Sequence, residues 1–259
     1  MDDLLGQIYG SYRLVRLIGS GGFATVYQGE HILLNIKVAV KVLGRLEPHE
    51  TERFLQEAKI IADLHHPNII RLLDFAIQDG RPFLVMEYAA SGTLADQHPK
   101  GAILTHSQMA SYIKQVASAL QYAHDRGLIH RDIKPSNMLV QENGEIVLSD
   151  FGIARSSSDS STTASGGIAG TPIFMAPEQA LGRPRAASDQ YSLAVCAYLW
   201  LCGTYPFQGS NLYEIIRQHL EAQPRPPRKL NPTISPQMEQ VLLMALAKRP
   251  EDRFSTIGE

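Results

Sequence analysis

The alternation of apolar and polar residues divides the chain into a strand-rich first part and a helix-rich second part. Short runs of β-branched and aromatic residues are typical of strands. In the first part such runs cover residues 12–18, 25–27, 38–43, 69–75 and 81–88. The Asp79-Gly80 pair between the last two runs predicts a tight turn. Residues 50–64 carry apolar side chains at helical spacing and predict a helix.

Helical periodicity dominates after Ala89. The predicted helices are 107–124, one opened by Asp189, 211–220 with Ser210 as its N-cap, and 237–247 with Ser235 as its cap and Pro236 in its first turn. Strands followed by helices predict an α+β fold made of two lobes. A cleft between lobes is where a small ligand usually binds.

Length and composition are those of an ordinary globular protein. The chain has 259 residues, of which 44% are hydrophobic and 19% are charged, so it can bury a substantial core. A net charge of −2 argues against a partner that is a nucleic acid or an anionic membrane. The longest nearly apolar run, 191–202, is too short to span a bilayer and predicts a buried helix. We therefore expect no membrane segment in this chain.

The N-terminus and the cysteines indicate a cytoplasmic protein. The start Met1-Asp2-Asp3 is acidic and lacks the basic region of a signal peptide. Cys196 and Cys202 lie in the apolar run, which favours a buried, reduced pair over a disulfide or a metal site.

A glycine-rich segment at 19–24, with the sequence GSGGFA, lies between two predicted strands. Glycines allow backbone N–H groups to approach phosphate oxygens closely, although an ordinary hairpin has the same appearance. A dinucleotide-binding fingerprint is a third interpretation, but it requires a following helix and an acid about 20 residues further on. Here a strand follows, and Lys41 stands 41 − 21 = 20 residues after Gly21. The sequence therefore argues against the dinucleotide fingerprint.

The stretch 128–150, LIHRDIKPSNMLVQENGEIVLSD, contains the groups that phosphoryl transfer needs. That chemistry uses a group that accepts a hydroxyl proton, oxygen ligands for Mg²⁺ and a cation near the migrating phosphoryl group. Asp132, the pair Asn137 and Asp150, and Lys134 can supply these in turn. A lone loop aspartate is more often a turn former. Its companions at 137 − 132 = 5 and 150 − 132 = 18 residues favour a site instead.

Taken in order, these residues resemble the catalytic domain of the eukaryotic-like, bacterial type of serine/threonine protein kinase. The matching motifs are H-R-D-x-K-P-x-N at 130–137, D-F-G at 150–152 and A-P-E at 176–178. Lys134-Pro135 is typical of the serine/threonine class, and Ala24 in place of the third glycine resembles the bacterial branch. The resemblance covers residues 12–254. It implies one bilobal kinase domain over 1–259, with a small β-sheet lobe at 12–88 and a mainly helical lobe at 89–259.

The resemblance assigns catalytic roles to individual residues. Lys41 would contact the α- and β-phosphates of ATP, and it would be paired with Glu57 because a lysine inside a strand is costly unless paired. Asp132 would be the base, and Lys134 would steady the γ-phosphoryl group. Asn137 and Asp150 would hold Mg²⁺ or Mn²⁺. The residues expected to bind ATP are Ile18, Gly19, Ser20, Gly21, Gly22, Phe23, Ala24, Val26, Ala39, Lys41, Met86, Glu87, Ala89 and Leu139. Of these, Met86 would close the back of the adenine pocket, and the backbones of Glu87 and Ala89 would bind the adenine ring.

The segment 153–170 is rich in Ser, Thr and Gly, which predicts a flexible loop. Its place between the D-F-G and A-P-E motifs resembles an activation loop. The resemblance implies autophosphorylation at Thr163 and Ser165, a phosphate pocket around Arg131, and self-association of the copies that modify each other.

Structural roles also follow from the resemblance. Thr171 would hydrogen-bond the catalytic aspartate and lysine, and Glu178 would pair with Arg253. Asp189 would brace the catalytic loop, although a simple acid at a helix N-terminus is an alternative. The chain stops at Glu259, where kinases continue into one more helix. We therefore expect a clipped domain, which could be the cytosolic part of a longer membrane-anchored protein.

The sequence predicts a serine/threonine protein kinase that transfers the γ-phosphoryl group of Mg-ATP to protein hydroxyls. A pseudokinase scaffold is the first alternative, and it predicts a damaged Lys41, Asp132 or Asp150, none of which is damaged. A small-molecule phosphotransferase of related fold is the second alternative. It would lack the segment 171–178 and the Lys134-Pro135 pair, both of which are present.

Overall fold

The strands predicted in the first part of the chain pair into one antiparallel sheet. The computed structural model describes residues 4–21, 24–45, 48–151 and 172–259, without the side chains of residues 48, 49 and 53. The strands of this sheet are β1 Ile8–Tyr9, β2 Tyr12–Ser20, β3 Ala24–His31, β4 Lys37–Leu43, β5 Leu72–Gln78 and β6 Arg81–Glu87. Their order across the sheet is β1-β2-β3-β4-β6-β5. As predicted, Asp79 and Gly80 form the turn between β5 and β6, both with positive φ.

The sheet buries a different cluster on each of its faces. Alternate residues of β4 show this division, because neighbours along a strand point to opposite faces. Val38, Val40 and Val42 pack with Leu4 and other apolar residues on one face. On the other face, Leu43 packs with Leu72, Leu84 and two residues of helix α1, Phe54 and Ala58. Helix α1 runs over Pro48–Ala62, two residues earlier than predicted at each end.

The first unit of the structure begins earlier than the lobe that the sequence predicted. The chain divides into two compact units between Ala90 and Ser91, where the sequence indicated a boundary after Tyr88. Leu4 and Tyr9 are buried in the first unit, and Tyr9 packs edge-on against Phe83 with ring centroids 5.4 Å apart. Both residues were missed because Leu4 lies outside any strand and Tyr9 belongs to a two-residue strand, so neither is part of a periodic pattern.

The second unit contains a small hairpin and mainly helices. Its helices are α2 Leu94–Gln97, α3 His106–His124, α4 Pro177–Ala180, α5 Ala186–Cys202, α6 Leu212–Glu221 and α7 Pro236–Ala245. Strands β7 Met138–Val140 and β8 Ile146–Leu148 pair with each other, and short 3₁₀ turns cover Pro135–Asn137, Pro172–Phe174, Pro227–Lys229 and Pro250–Asp252. An antiparallel sheet followed by a helical part confirms the predicted α+β class.

Helix α5 is buried along nearly its whole length. This confirms that the apolar run around Tyr191 is a core helix, although the helix starts at Ala186, three residues before the predicted start. Cys196 is buried but Cys202 is only half-buried, so the prediction of two buried cysteines was wrong for Cys202. Within the described residues, none of the helices combines the length and the apolar character that crossing a bilayer would require.

The N-cap of α6 differs from the prediction. Asn211, not Ser210, accepts a hydrogen bond from the Glu214 backbone N–H, at 2.9 Å. The Ser210 hydroxyl instead donates to the Glu214 carboxylate at 2.9 Å. The predicted cap was therefore wrong by one residue, because an asparagine side chain in extended backbone reaches the N–H three positions ahead. Ser235 caps α7 as predicted.

We predict that Gly29→Ala destabilises the protein by about 1–3 kcal/mol because it overpacks the core. A Cβ at Gly29 would lie 2.7 Å from Val40 Cγ2 and 3.1 Å from Val38 Cγ2, and both valines are fully buried. Denaturant unfolding measures the change. Gly44→Ala is the matched control, since a Cβ at Gly44 meets no atom within 4 Å. Equal stability of the two variants would contradict the prediction.

Candidate active site

The loop ahead of β7 brings three of the predicted site residues into contact: Asp132, Lys134 and Asn137. Lys134 Nζ lies 2.9 Å from Asp132 Oδ2. The Asn137 amide Nδ2 donates to the same Oδ2 at 3.2 Å and to the Asp132 backbone carbonyl at 2.8 Å. Both side-chain contacts fall on one carboxylate oxygen, so they fix the rotation of the Asp132 carboxylate. The short 3₁₀ turn Pro135–Asn137 folds Asn137 back onto Asp132.

Asp132 and Lys134 are accessible enough to meet a substrate. Their side chains are 25% and 22% exposed, respectively, so the ion pair is partly screened by water. The Lys134 ammonium makes a charge-assisted contact with the carboxylate and the Asn137 amide a neutral one, and together they hold it in one orientation. An oriented, partly exposed carboxylate can accept a proton from a hydroxyl group.

His130 connects the catalytic loop to the end of β8. Its ring is completely buried, and its Nδ1 accepts a hydrogen bond from the Asp132 backbone N–H at 3.2 Å. Its Nε2 therefore carries the proton and donates to the Ser149 carbonyl at 2.8 Å. Burial lowers the pKa of His130, so the ring stays neutral. Phe151 packs against the ring with centroids 4.6 Å apart. The sequence indicated no role for His130 beyond its place in the H-R-D motif.

Asp189 holds the backbone of the same loop from below. Its buried carboxylate accepts hydrogen bonds at 2.8 Å from the backbone N–H groups of His130 and Arg131. The His124 Nε2 lies 2.8 Å from the same carboxylate. Asp189 also lies in the first turns of α5, so the bracing role and the role as a helix N-terminal acid are compatible. His124 was missed because nothing in the sequence relates it to a residue 65 positions away.

Two non-glycine residues of this region have left-handed backbone conformations. The φ angles are 66° at Arg131 and 65° at Asp150. Such conformations cost about 1–3 kcal/mol each and persist where surrounding contacts impose them, as happens at functional sites. Asp150 is half-buried. The strain therefore marks the residue before the predicted base and a predicted metal ligand.

The donor set of Asn137 and Asp150 fits a magnesium ion. The Asn137 Nδ2 is bound to Asp132, so its Oδ1 is the atom that could bind a cation. Amide and carboxylate oxygens suit a hard cation such as Mg²⁺, which usually takes its other ligands from water and substrate phosphates. In the ranges that the structure covers, no group of three or more His, Cys, Asp and Glu residues could hold a metal ion. A cation bound by Asn137 and Asp150 would therefore need further ligands from water or from the phosphates of a substrate.

The glycine-rich segment forms a hairpin tip in the first unit. Ser20 of β2 pairs with Thr25 of β3, and the Gly21 N–H donates to the Ala24 carbonyl at 2.9 Å. A strand follows the tip, so the helix required by the dinucleotide interpretation is absent at this point of the described chain. Gly22 and Phe23 lie outside the described residues.

Lys41 and Glu57 belong to the same layer of the first unit. Lys41 lies two residues before Leu43 on β4 and opposite Leu84 of β6, and both of these leucines pack with α1. Glu57 is next to Ala58 in α1, in the same cluster. This placement is the one that a Lys41–Glu57 ion pair requires, and the pair itself stays a prediction.

Part of the backbone predicted to bind adenine is hydrogen-bonded within the protein. The Glu87 N–H donates to the Arg71 carbonyl at 3.1 Å, and the binding of adenine by the Glu87 carbonyl stays a prediction. Met86 lies opposite Ala39 in the sheet and packs against the Leu84 cluster. The other predicted ATP-binding residues are Ile18 and Gly19 on β2, Val26 on β3, Ala89 just after β6, and Leu139 on β7.

Glu178 and Arg253 form a buried ion pair with two parallel hydrogen bonds. Arg253 Nη1 donates to Oε1 and Nη2 to Oε2 of Glu178, each at 2.8 Å. The Ser188 hydroxyl also donates to Oε1, at 2.7 Å. Burial raises the pKa of Glu178, but the hydrogen bonds from Arg253 and Ser188 outweigh it and keep the pKa below its usual value. The pair ties α4 and the N-terminal turn of α5 to the 3₁₀ turn near the C-terminus.

Several predicted residues cannot be placed. Gly152, the loop 153–170 with Thr163 and Ser165, and Thr171 lie outside the described residues, so the predicted phosphorylation sites and the role of Thr171 have no structural account.

Comparisons with known proteins agree with this arrangement. The model of the protein kinase domain matches residues 12–257. The chain is 41% identical, over 99% of its length, to the serine/threonine-protein kinase Pkn1 of Myxococcus xanthus. It is 35% identical, over 98% of its length, to the serine/threonine-protein kinase PrkC of Bacillus subtilis. It covers only 38% and 40% of these two relatives. The chain therefore spans about two fifths of the length of the curated relatives it matches.

We predict that Arg253→Met destabilises the second unit by about 3–5 kcal/mol, because it leaves the Glu178 carboxylate buried without its partner. The double variant Glu178→Leu with Arg253→Met should recover part of this loss, since it buries no charge. Denaturant unfolding of the three variants measures both effects. Arg249→Met, which breaks an exposed pair with Glu251, is the control and should change stability little. A double variant as unstable as Arg253→Met would contradict the prediction.

Proposed function

Because the chain belongs to the protein kinase family, we propose that it transfers the γ-phosphoryl group of Mg-ATP to serine and threonine hydroxyls of proteins. The observation that carries this proposal is the partly exposed Asp132 carboxylate, one oxygen of which is contacted by both Lys134 and Asn137. The relatives named as serine/threonine kinases support the choice of acceptor hydroxyl.

Asp132 and Lys134 divide the work at the reacting group. Asp132 orients the substrate hydroxyl and accepts its proton as the bond to phosphorus forms. The Lys134 ammonium stabilises negative charge on the transferring oxygens. Positioning and electrostatic stabilisation together account for most of the rate enhancement in this kind of reaction, since the chemistry needs no covalent intermediate on the protein.

ATP and a divalent metal are used by the protein kinase family in general. We assign Mg²⁺, or Mn²⁺ in its place, to Asn137 Oδ1 and the Asp150 carboxylate. When bound, the metal offsets the negative charge of the phosphates. Lys41, held by Glu57, contacts the α- and β-phosphates, and the Gly19–Ala24 segment covers the phosphates with backbone N–H groups. The adenine ring donates to the Glu87 carbonyl and accepts from the Ala89 N–H.

We also propose that the loop 153–170 regulates the domain through phosphorylation. A phosphate on Thr163 or Ser165 adds about two negative charges, which the Arg131 guanidinium can bind. One copy would modify another, so the domain would self-associate at least transiently. We propose a cytoplasmic location for the domain, which is supported by its free thiols and by a reaction that uses Mg-ATP.

We predict that Asp132→Asn lowers kcat by about 10²–10⁴-fold while Mg-ATP still binds, because the variant loses the proton acceptor but none of the groups assigned to the nucleotide. Labelled phosphate transfer to a generic protein measures kcat, and calorimetry measures nucleotide affinity. Asp125→Asn, an exposed aspartate at the end of α3, is the control for the substitution. A variant with full activity would contradict the role of Asp132. A wild type that phosphorylates small alcohols but no protein would contradict the substrate class.

We predict autophosphorylation at Thr163 and Ser165. Mass spectrometry of the protein incubated with Mg-ATP should find phosphate on both residues. The Asp132→Asn variant should be modified only when active wild-type protein is added, because it retains the acceptor hydroxyls but not the base. An unmodified loop 153–170 in active wild-type protein would contradict the prediction.

A further inference from the structure

The peptide group that joins Arg131 to Asp132 is held at both of its polar atoms. Its carbonyl accepts a hydrogen bond from Gln179 Nε2 at 2.7 Å. Its N–H donates to His130 Nδ1 at 3.2 Å. The preceding N–H, that of Arg131, is bound to Asp189. The plane of this peptide group sets the direction in which the Asp132 side chain leaves the backbone, so these bonds decide where the carboxylate lies.

The same peptide group needs external support because Arg131 has a φ of 66°. A residue with a Cβ adopts this left-handed conformation only at a cost, and it relaxes when the contacts that impose it are removed. Of the supports just described, His130 and Asp189 act on N–H groups. Gln179 acts on the carbonyl, and its loss would let the carbonyl rotate toward water.

Gln179 comes from an element outside the catalytic loop. It lies on the short helix α4, 48 residues after Arg131 in the sequence. Its neighbour Glu178 is fixed by Arg253 and Ser188 within the buried network. The position of Gln179 is therefore set by a rigid part of the second unit. Gln179 also follows directly on the A-P-E motif. The segment 153–171 therefore leads toward the helix whose Gln179 amide holds the catalytic backbone.

We propose that Gln179 is a positioning residue for Asp132: its amide fixes the Arg131–Asp132 peptide group and thereby aims the catalytic carboxylate. Gln179 acts through the backbone and does not touch the reacting atoms. The inference rests on the proposed kinase function. It adds to that function a structural link from α4 to the catalytic base.

Gln179→Glu tests the inference because it keeps the size of the side chain and removes the donor. At about pH 8 the introduced carboxylate faces the Arg131 carbonyl, and we expect kcat to fall about tenfold, the rate effect of one net hydrogen bond. The KM for Mg-ATP stays unchanged, because the nucleotide is bound by other residues. A half-buried carboxyl group that faces a carbonyl oxygen is protonated more readily than an exposed one and can then donate again, so the loss in kcat should become smaller toward pH 6. Gln179→Met, which cannot donate at any pH, loses kcat without this recovery.

Asn231→Asp is the matched control. Asn231 also donates from a partly buried amide to a backbone carbonyl, that of Leu201, at 2.9 Å. It lies in the same unit and is not part of the catalytic loop. The amide-to-acid change at Asn231 should affect the stability of the protein much as Gln179→Glu does, but it should leave kcat unchanged. Thermal unfolding of all variants separates a loss of folded protein from a loss of turnover.

Nuclear magnetic resonance gives a readout that does not depend on activity. The backbone amide resonances of Arg131 and Asp132 should shift in Gln179→Glu and Gln179→Met and stay in place in Asn231→Asp. Unchanged resonances together with unchanged kcat would overturn the inference, as would an equal loss of kcat in Asn231→Asp. If the wild-type protein transferred no phosphate, the proposed function would fail, while the amide shifts would still decide whether Gln179 holds the peptide group.

Discussion

The catalytic loop depends on the hydrogen bonds that the buried carboxylate of Asp189 accepts. A buried charge is costly unless hydrogen bonds replace its water, and here the N–H groups of His130 and Arg131 and the ring of His124 do so. The carboxylate in turn accepts hydrogen bonds from backbone N–H groups in a loop that is neither helix nor strand. The loop can therefore keep a strained conformation at Arg131 beside the predicted base.

Helix α5 serves as the common support of the second unit. Its first turns carry polar residues that bind other elements: Ser188 binds Glu178, and Asp189 binds the catalytic loop. The following turns are mostly apolar and are buried as far as Leu201, with Tyr191, Tyr198 and Trp200 among the largest buried side chains. One helix thus anchors both the catalytic loop and α4, so a displacement of either is resisted by the same core.

In the first unit, the corresponding constraint is a lysine, Lys41, that lies inside a sheet. The valines of β4 fill one face of the sheet, while Lys41 shares the other face with α1. A single glycine, Gly29, allows β3 to lie close to the side chains of Val38 and Val40. Alternation along one strand therefore separates the apolar core from the face on which the charged residue lies.

The sequence by itself determined the family, the α+β class, most helices and strands within a few residues, and the group of Asp132, Lys134 and Asn137. These features are local: they depend on periodicity and on residues that lie within a few positions of one another. Only the tertiary structure decided the partners of His130, the three donors on Asp189, the capping of α6 by Asn211 and the contact between Gln179 and the Arg131 carbonyl. Those contacts join residues far apart in the chain or depend on one-residue details of backbone geometry. Such contacts arise when helices pack, because packing, and not spacing along the chain, sets which polar groups meet.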